Sequence, residues 1–161
     1  MLGVLADDWD LMVAHPPCRY LSCAGCKSWY APGRAEKREA ALGFVRALMA
    51  APIERIAIEN PQGAIGSNIR KADQYIQPWE HGDPYIKRTG LWLKNLPLLQ
   101  PSNPVEPVAH WMEASSVRKR GGLPVDVAGK SQKMRSLTFL GIARAMAGQW
   151  GGMAAELSLA A

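Results

Sequence analysis

The sequence predicts an α/β fold organised on a parallel βαβ unit, and three stretches carry that prediction. Leu11 to Ala14 is a short, continuous apolar run stopped by Pro16-Pro17. Ile53 to Ile58 is a second apolar-rich run, stopped by Glu59-Asn60-Pro61. Between them, Ala35 to Met49 has the apolar periodicity of a helix. Short runs of this kind suit strands buried on both faces of a parallel sheet. The stretch separating them is long enough for the crossover helix that parallel neighbours need.

Residues 8–14 read as the first strand, which the two prolines end because neither can donate to a ladder and both hold φ near the extended region. The loop from His15 to Pro32 is long and carries Cys18, Cys23, Cys26, Trp29 and Tyr30. Connections of that length are usually functional or disordered. In the helix over 35–49, Ala41, Phe44, Val45 and Leu48 share one stripe with charges opposite, and Pro52 closes it. The second strand offers Ile53, Ile56, Ala57 and Ile58 to the core.

Farther on, Asn68 to Ala72 reads as a short helix, Gln74 to Trp79 as a strand, Glu80 to Pro84 as a loop and Thr89 to Leu93 as a strand. Lys94 to Asn103 fits no regular element. Residues 113–136 hold Arg118, Lys119, Arg120, Lys130, Lys133 and Arg135 among glycines and read as a mobile basic segment. Thr138 to Trp150 reads as a closing helix, with Ile142, Ala145, Met146 and Gln149 in sequence along it and Gly151-Gly152 at its end. Trp29, Trp79, Trp92, Trp111 and Trp150 read as structural anchors, and His81 and His110 as surface residues.

A chain of 161 residues with 48% hydrophobic side chains reads as one globular domain over 1–161, able to bury about two thirds of its surface. It is too apolar for a disordered chain. Lys and Arg number 19 against 14 Asp and Glu, a net charge of +5, which favours an anionic partner, with nucleic acid first. The amino terminus meets Asp7 and Asp8 at once and has no basic region, so it does not read as a signal peptide. No apolar run approaches the roughly eighteen residues of a membrane span. Three cysteines without an export signal fit reduced thiols in a cytoplasm.

Cys18 is the candidate nucleophile. It follows the turn at the carboxyl end of a strand, where open α/β sheets bind ligands, with Arg19 next to it and His15 three residues before, the electropositive company a thiolate needs. Glu59 is the candidate acid. It follows Ile56-Ala57-Ile58 with no turn residue between, at the equivalent end of the neighbouring strand, where a partly buried carboxyl is suited to donating a proton.

Pro17-Cys18 at one strand end and Glu59-Asn60 at the next resemble the cytosine carbon-5 DNA methyltransferases of phage and prophage type. Gln77 to Trp92, with its Lys87-Arg88-Thr89, and Arg135 to Trp150 look like the later regions of such chains. The resemblance implies a three-layer, Rossmann-like α/β fold and methyl transfer from S-adenosylmethionine to cytosine in double-stranded DNA. It implies Cys18 as the nucleophile that adds to carbon 6 and Glu59 as the carboxylate on the ring nitrogen and exocyclic amine. Pro17, Asn60, Lys87 and Arg88 are then expected substrate-binding residues. Both catalytic groups can reach only an extruded base, so the target would be flipped out of the duplex.

Ahead of Cys18 the sequence has no glycine-rich turn for the cofactor. The chain therefore reads as a methyltransferase sheet truncated at its amino-terminal half, and an unpaired strand edge predicts a homodimer or a partner chain covering it. The competing class is a noncatalytic, prophage-derived DNA- or partner-binding remnant. Two further readings rank below. His15-Pro16-Pro17-Cys18 resembles the Asn-Pro-Pro-aromatic motif of amino methyltransferases but matches neither its first nor its last position. His15, Cys18, Cys23 and Cys26 have a spacing usable for zinc or an iron-sulfur cluster, but the two prolines restrict His15, and no metal is expected.

Overall fold

The computed structural model describes residues 2–23, 30–111, 124 and 138–152. They are mixed α/β and fall into two compact units, Met1–Tyr75 with Thr89–Leu98, and Ile76–Arg88 with Leu99–Ala161. The basic segment expected over 113–136 lies almost entirely outside the described residues. No helix among them is long and apolar enough to cross a membrane.

The first unit opens with a 3-10 turn, Leu2–Ala6, and a short strand β1, Leu11–Ala14. Helix α1 spans Arg34–Met49. Its alanines, leucines and long charged residues are strong helix formers. Leu42, Val45 and Leu48 are its buried face, with Ala41 and Phe44 packed at the edge of the core. The apolar stripe is thus turned slightly from the expected one, and Leu42 joins it. Gly33 precedes the helix in the left-handed region at φ 69°, a conformation that costs glycine nothing.

Strand β2 covers Arg55–Pro61, helix α2 Ala64–Asn68, β3 Gln74–Ile76 and β5 Thr89–Lys94. Strand β4, Tyr85–Ile86, belongs to the second unit. The sheet runs β1-β2-β5-β3. Strands β1 and β2 are parallel, with Leu11 opposite Arg55 and Ala14 opposite Ile58, as the βαβ pattern predicts. Strands β2 and β5 are antiparallel, so the sheet is mixed. Ile56 and Ile58 meet the α1 face together with Leu42, Val45, Leu48, Ile65 and Trp92. Cutting Leu42 or Ile58 back to alanine costs about 2–5 kcal/mol in such a core.

Three expectations are corrected. Strand β1 is not buried on both faces: it is at the end of the sheet order, half-buried, with Val13 37% exposed. One neighbour cannot cover both faces and the free edge. Strand β3 stops at Ile76, because Pro78 lacks a ladder donor and starts a 3-10 turn, Pro78–Glu80, closed by a capping box between Gln77 and Glu80. The short helix lies at 64–68 instead of 68–72.

In the second unit β4 pairs in parallel with β6, Ala109–His110. Helix α3, Leu140–Trp150, buries Ile142, Ala145, Met146 and Trp150. Gln149 is not part of that apolar face and exchanges hydrogen bonds with the Gln100 backbone. Tyr85, Trp111 and Phe139 form a ring cluster with centroids 4.8 to 5.8 Å apart.

Candidate functional site

The parallel register makes the site. Ala14 is opposite Ile58, so the next residues, His15 and Glu59, lie side by side, His15 just past the end of β1 and Glu59 still inside β2, which runs on past the expected stop at Ile58 and pairs Glu59 with Leu91 of β5. His15 Nδ1 lies 2.8 Å from Glu59 Oε2, and the Glu59 side chain is only 14% exposed. One residue on, buried Asn60 donates from Nδ2 to the Pro16 carbonyl at 2.7 Å. The end of β1 and strand β2 are therefore tied by the His15–Glu59 contact and a buried hydrogen bond in consecutive positions.

The chain after Pro17 turns through the 3-10 segment Cys18–Tyr20, where the Cys18 carbonyl accepts from the Leu21 and Ser22 amides at 3.0 and 2.9 Å. Ser22 then bridges to Gly63, Cys23 donates to the Gln62 carbonyl at 3.0 Å and Ala64 donates to the Leu21 carbonyl at 2.6 Å. Gly63 is needed there, since a Cβ would run into the Leu21 carbonyl oxygen. The result is a half-buried free thiol at Cys18, on a loop stitched to the loop that follows Glu59. Tyr20 carries two cations: the Arg34 guanidinium is 4.7 Å and that of Arg19 5.5 Å from its ring centroid.

Of the expected site residues, Pro17, Cys18, Glu59 and Asn60 share the first unit and the same end of β1 and β2. Lys87 and Arg88 belong to the second unit. There the Lys87 amide donates to Gln77 Oε1 at 3.0 Å and its ammonium is 5.5 Å from the Phe139 ring centroid. His15, the positive company the sequence offers Cys18, has Nδ1 2.8 Å from Glu59 Oε2. The signal for that pairing was in the sequence, because each residue is the first polar one after an apolar run. A cavity of about 420 Å³ in the first unit is lined by Met49, Ile56, Ile58, Trp92, Arg70 and Lys94 among others, and by none of these site residues.

His81 departs furthest from expectation. It is 3% exposed, with Nδ1 3.1 Å from Ser102 Oγ and Nε2 buried without a hydrogen-bond partner. Burial lowers its pKa from the ordinary 6.5, against the opposing pull of Glu80 and Asp83.

Among the described residues no group of three or more His, Cys, Asp or Glu side chains could hold a metal ion; Cys26 lies outside them. S-adenosylmethionine does not fit what is described either. In the turn leading from β2 into α2, the space a close backbone approach at Gly63 would use is taken by the Leu21 carbonyl. Ahead of β1 there is a single 3-10 turn with Gly3 its one glycine.

No family model, no characterised protein and no solved structure matches the chain.

Proposed function

We propose that the chain is a DNA (cytosine-5-)-methyltransferase-like protein whose Cys18 adds to a flipped-out cytosine while Glu59 holds the base. The observation that supports this reading is the parallel β1–β2 register, which brings Pro17-Cys18 and Glu59-Asn60 to one end of the sheet.

Cytosine carbon 5 is a poor nucleophile. The Cys18 thiolate would form a bond to carbon 6, the carbon 5–carbon 6 π bond would open, and its electron pair would pass to carbon 5 and the ring. Glu59 would offset that charge by hydrogen bonding at the ring nitrogen and the exocyclic amine. His15, on Oε2, fixes the carboxyl plane so that its donor and acceptor directions are set before the base arrives. Asn60 holds the Pro16 carbonyl and with it the turn that presents Cys18. S-adenosylmethionine would supply the methyl group, although the described residues do not form a cradle for it. The three-layer fold, cytoplasmic location, Lys87 and Arg88 as substrate contacts and a second copy on the β1 edge belong to the same proposal.

Addition to carbon 6 can be followed without a methyl donor, because it makes the carbon 5 hydrogen exchangeable. The test is release of tritium from duplex DNA labelled at cytosine carbon 5, with Cys18→Ser and Glu59→Gln beside the wild type. Release that disappears in Cys18→Ser and falls in Glu59→Gln is expected. Wild-type release no greater than that of Cys18→Ser, with and without S-adenosylmethionine, overturns the proposal in favour of a noncatalytic binding protein.

A further inference from the structure

We infer that Arg19 and Arg34, gathered on the Tyr20 ring immediately after Cys18, form a clamp for a backbone phosphate of DNA. The inference deepens the reading of the chain as a protein acting on a base in DNA, and names what would hold the strand beside the nucleophile.

Two guanidiniums lie within 5.5 Å of one ring centroid, and Arg34 Nη2 also donates to the Arg19 carbonyl at 3.1 Å. The ring attracts each guanidinium, and an anion between them would add a favourable charge interaction with both. Among the described residues no carboxylate does so: the ion pairs there are His15–Glu59, Arg46–Glu39 and Arg70–Asp73. Arg34 Nε is buried without a hydrogen-bond partner, an unsatisfied donor that costs free energy.

The ligand chemistry follows from the donors. Guanidinium presents planar, forked N–H groups that match phosphate oxygens, and it keeps its charge at any accessible pH. The contact with the Tyr20 ring and the bond to the Arg19 carbonyl hold the Arg34 side chain in advance, so less rotamer freedom is lost on binding. The backbone around Tyr20 is itself fixed, through the Ser22–Gly63 bridge and the Ala64 amide on the Leu21 carbonyl. A base attacked by Cys18 must be extruded on a rotated backbone, and a rigid anion site one residue from the thiol is where its phosphate could be gripped.

The experiment is equilibrium binding of the full chain to a duplex oligonucleotide, by fluorescence anisotropy across a salt series. Arg19→Gln/Arg34→Gln is compared with Arg46→Gln/Arg70→Gln, which removes the same net charge from two arginines already paired with carboxylates. The clamp predicts that the first pair loses about tenfold or more in affinity at moderate salt, with a salt slope shallower by about one to two, while the second stays within about threefold of the wild type. Far-UV circular dichroism confirms folding, and Arg19→Lys/Arg34→Lys, which keeps charge without the fork, should fall between. Equal losses in the two double variants, or no measurable binding by the wild type, overturn the clamp. Relief of the difference by millimolar inorganic phosphate but not by unlabelled duplex would assign the site to free phosphate and equally overturn it. Binding is read without turnover: a chain that binds through Arg19 and Arg34 yet exchanges no carbon 5 hydrogen removes only the proposed reaction, and the converse removes only the clamp.

Discussion

His15 Nδ1 and Glu59 Oε2 lie 2.8 Å apart because both residues follow, in register, the last paired positions of two parallel strands. The carboxyl that would meet the base is therefore held from the strand that also delivers Cys18. A charge-assisted bond of this kind contributes about 1.5–3 kcal/mol. His15→Ala is expected to slow carbon 5 hydrogen exchange about ten- to a hundredfold, with duplex affinity unchanged, and His15→Asn, which restores a donor, to recover part of the rate. An equal loss of affinity would show that His15 shapes the loop instead of the carboxyl.

Asn60 is the structural partner of that pair. It is 1% exposed and its Nδ2 bond to the Pro16 carbonyl is 2.7 Å. Asn60→Ala leaves that carbonyl without its donor and should cost about 1–3 kcal/mol, read as a lowered midpoint in urea with an unchanged slope. Asn60→Asp should cost more, since it places a carboxylate against a carbonyl.

Two glycines should respond to alanine in opposite directions. At Gly63 the new Cβ meets the Leu21 carbonyl, so the bridge to Ser22 must open at a cost of about 1–3 kcal/mol or more. At Gly43, within α1, nothing lies within 4 Å of the added Cβ. Alanine there should stabilise the helix by about 0.5–1 kcal/mol. Thermal denaturation of the two variants separates the effects, and only Gly63→Ala should also reduce carbon 5 hydrogen exchange.

Stability should fall as pH drops through the mid-acid range because of His81. Its folded-state pKa lies below the 6.5 of the free side chain, mainly from desolvation. Below 6.5 the unfolded state therefore binds more protons than the folded state. The stabilisation is complete above 6.5 and is lost progressively as pH falls toward the folded-state value. Replacing His81 with Gln should flatten the dependence of unfolding free energy on pH over that window; an unchanged slope would assign it to other groups.

The local signals in the sequence carried far in the first unit. Apolar runs ending in proline marked β1 and β2, the helical stripe marked α1, and the room between them marked a parallel pair. Ile53, Ile56, Ala57 and Ile58 are all buried as their pattern indicates. Each of these depends on a periodicity or a stop residue within a few positions, which is why one sequence suffices to read them. Fold details that depend on non-local pairing were not legible. Nothing in Thr89 to Lys94 marks it as antiparallel to β2, since both directions bury the same residues.

Local pattern marked Cys18 and Glu59 as the side chains able to do chemistry and placed Cys18 past the end of a strand; it also placed Glu59 past a strand, whereas β2 runs on through Pro61 and keeps Glu59 within the sheet. Tertiary structure alone decided what they touch. The register put His15 on Glu59 and Asn60 on Pro16, and the position at which α1 begins set Arg34 on Tyr20. It also buried His81, whose neighbours in sequence are a glutamate and a glycine and give no sign of a core position. Such contacts join residues far apart along the chain, and their energies depend on geometry that local pattern does not encode.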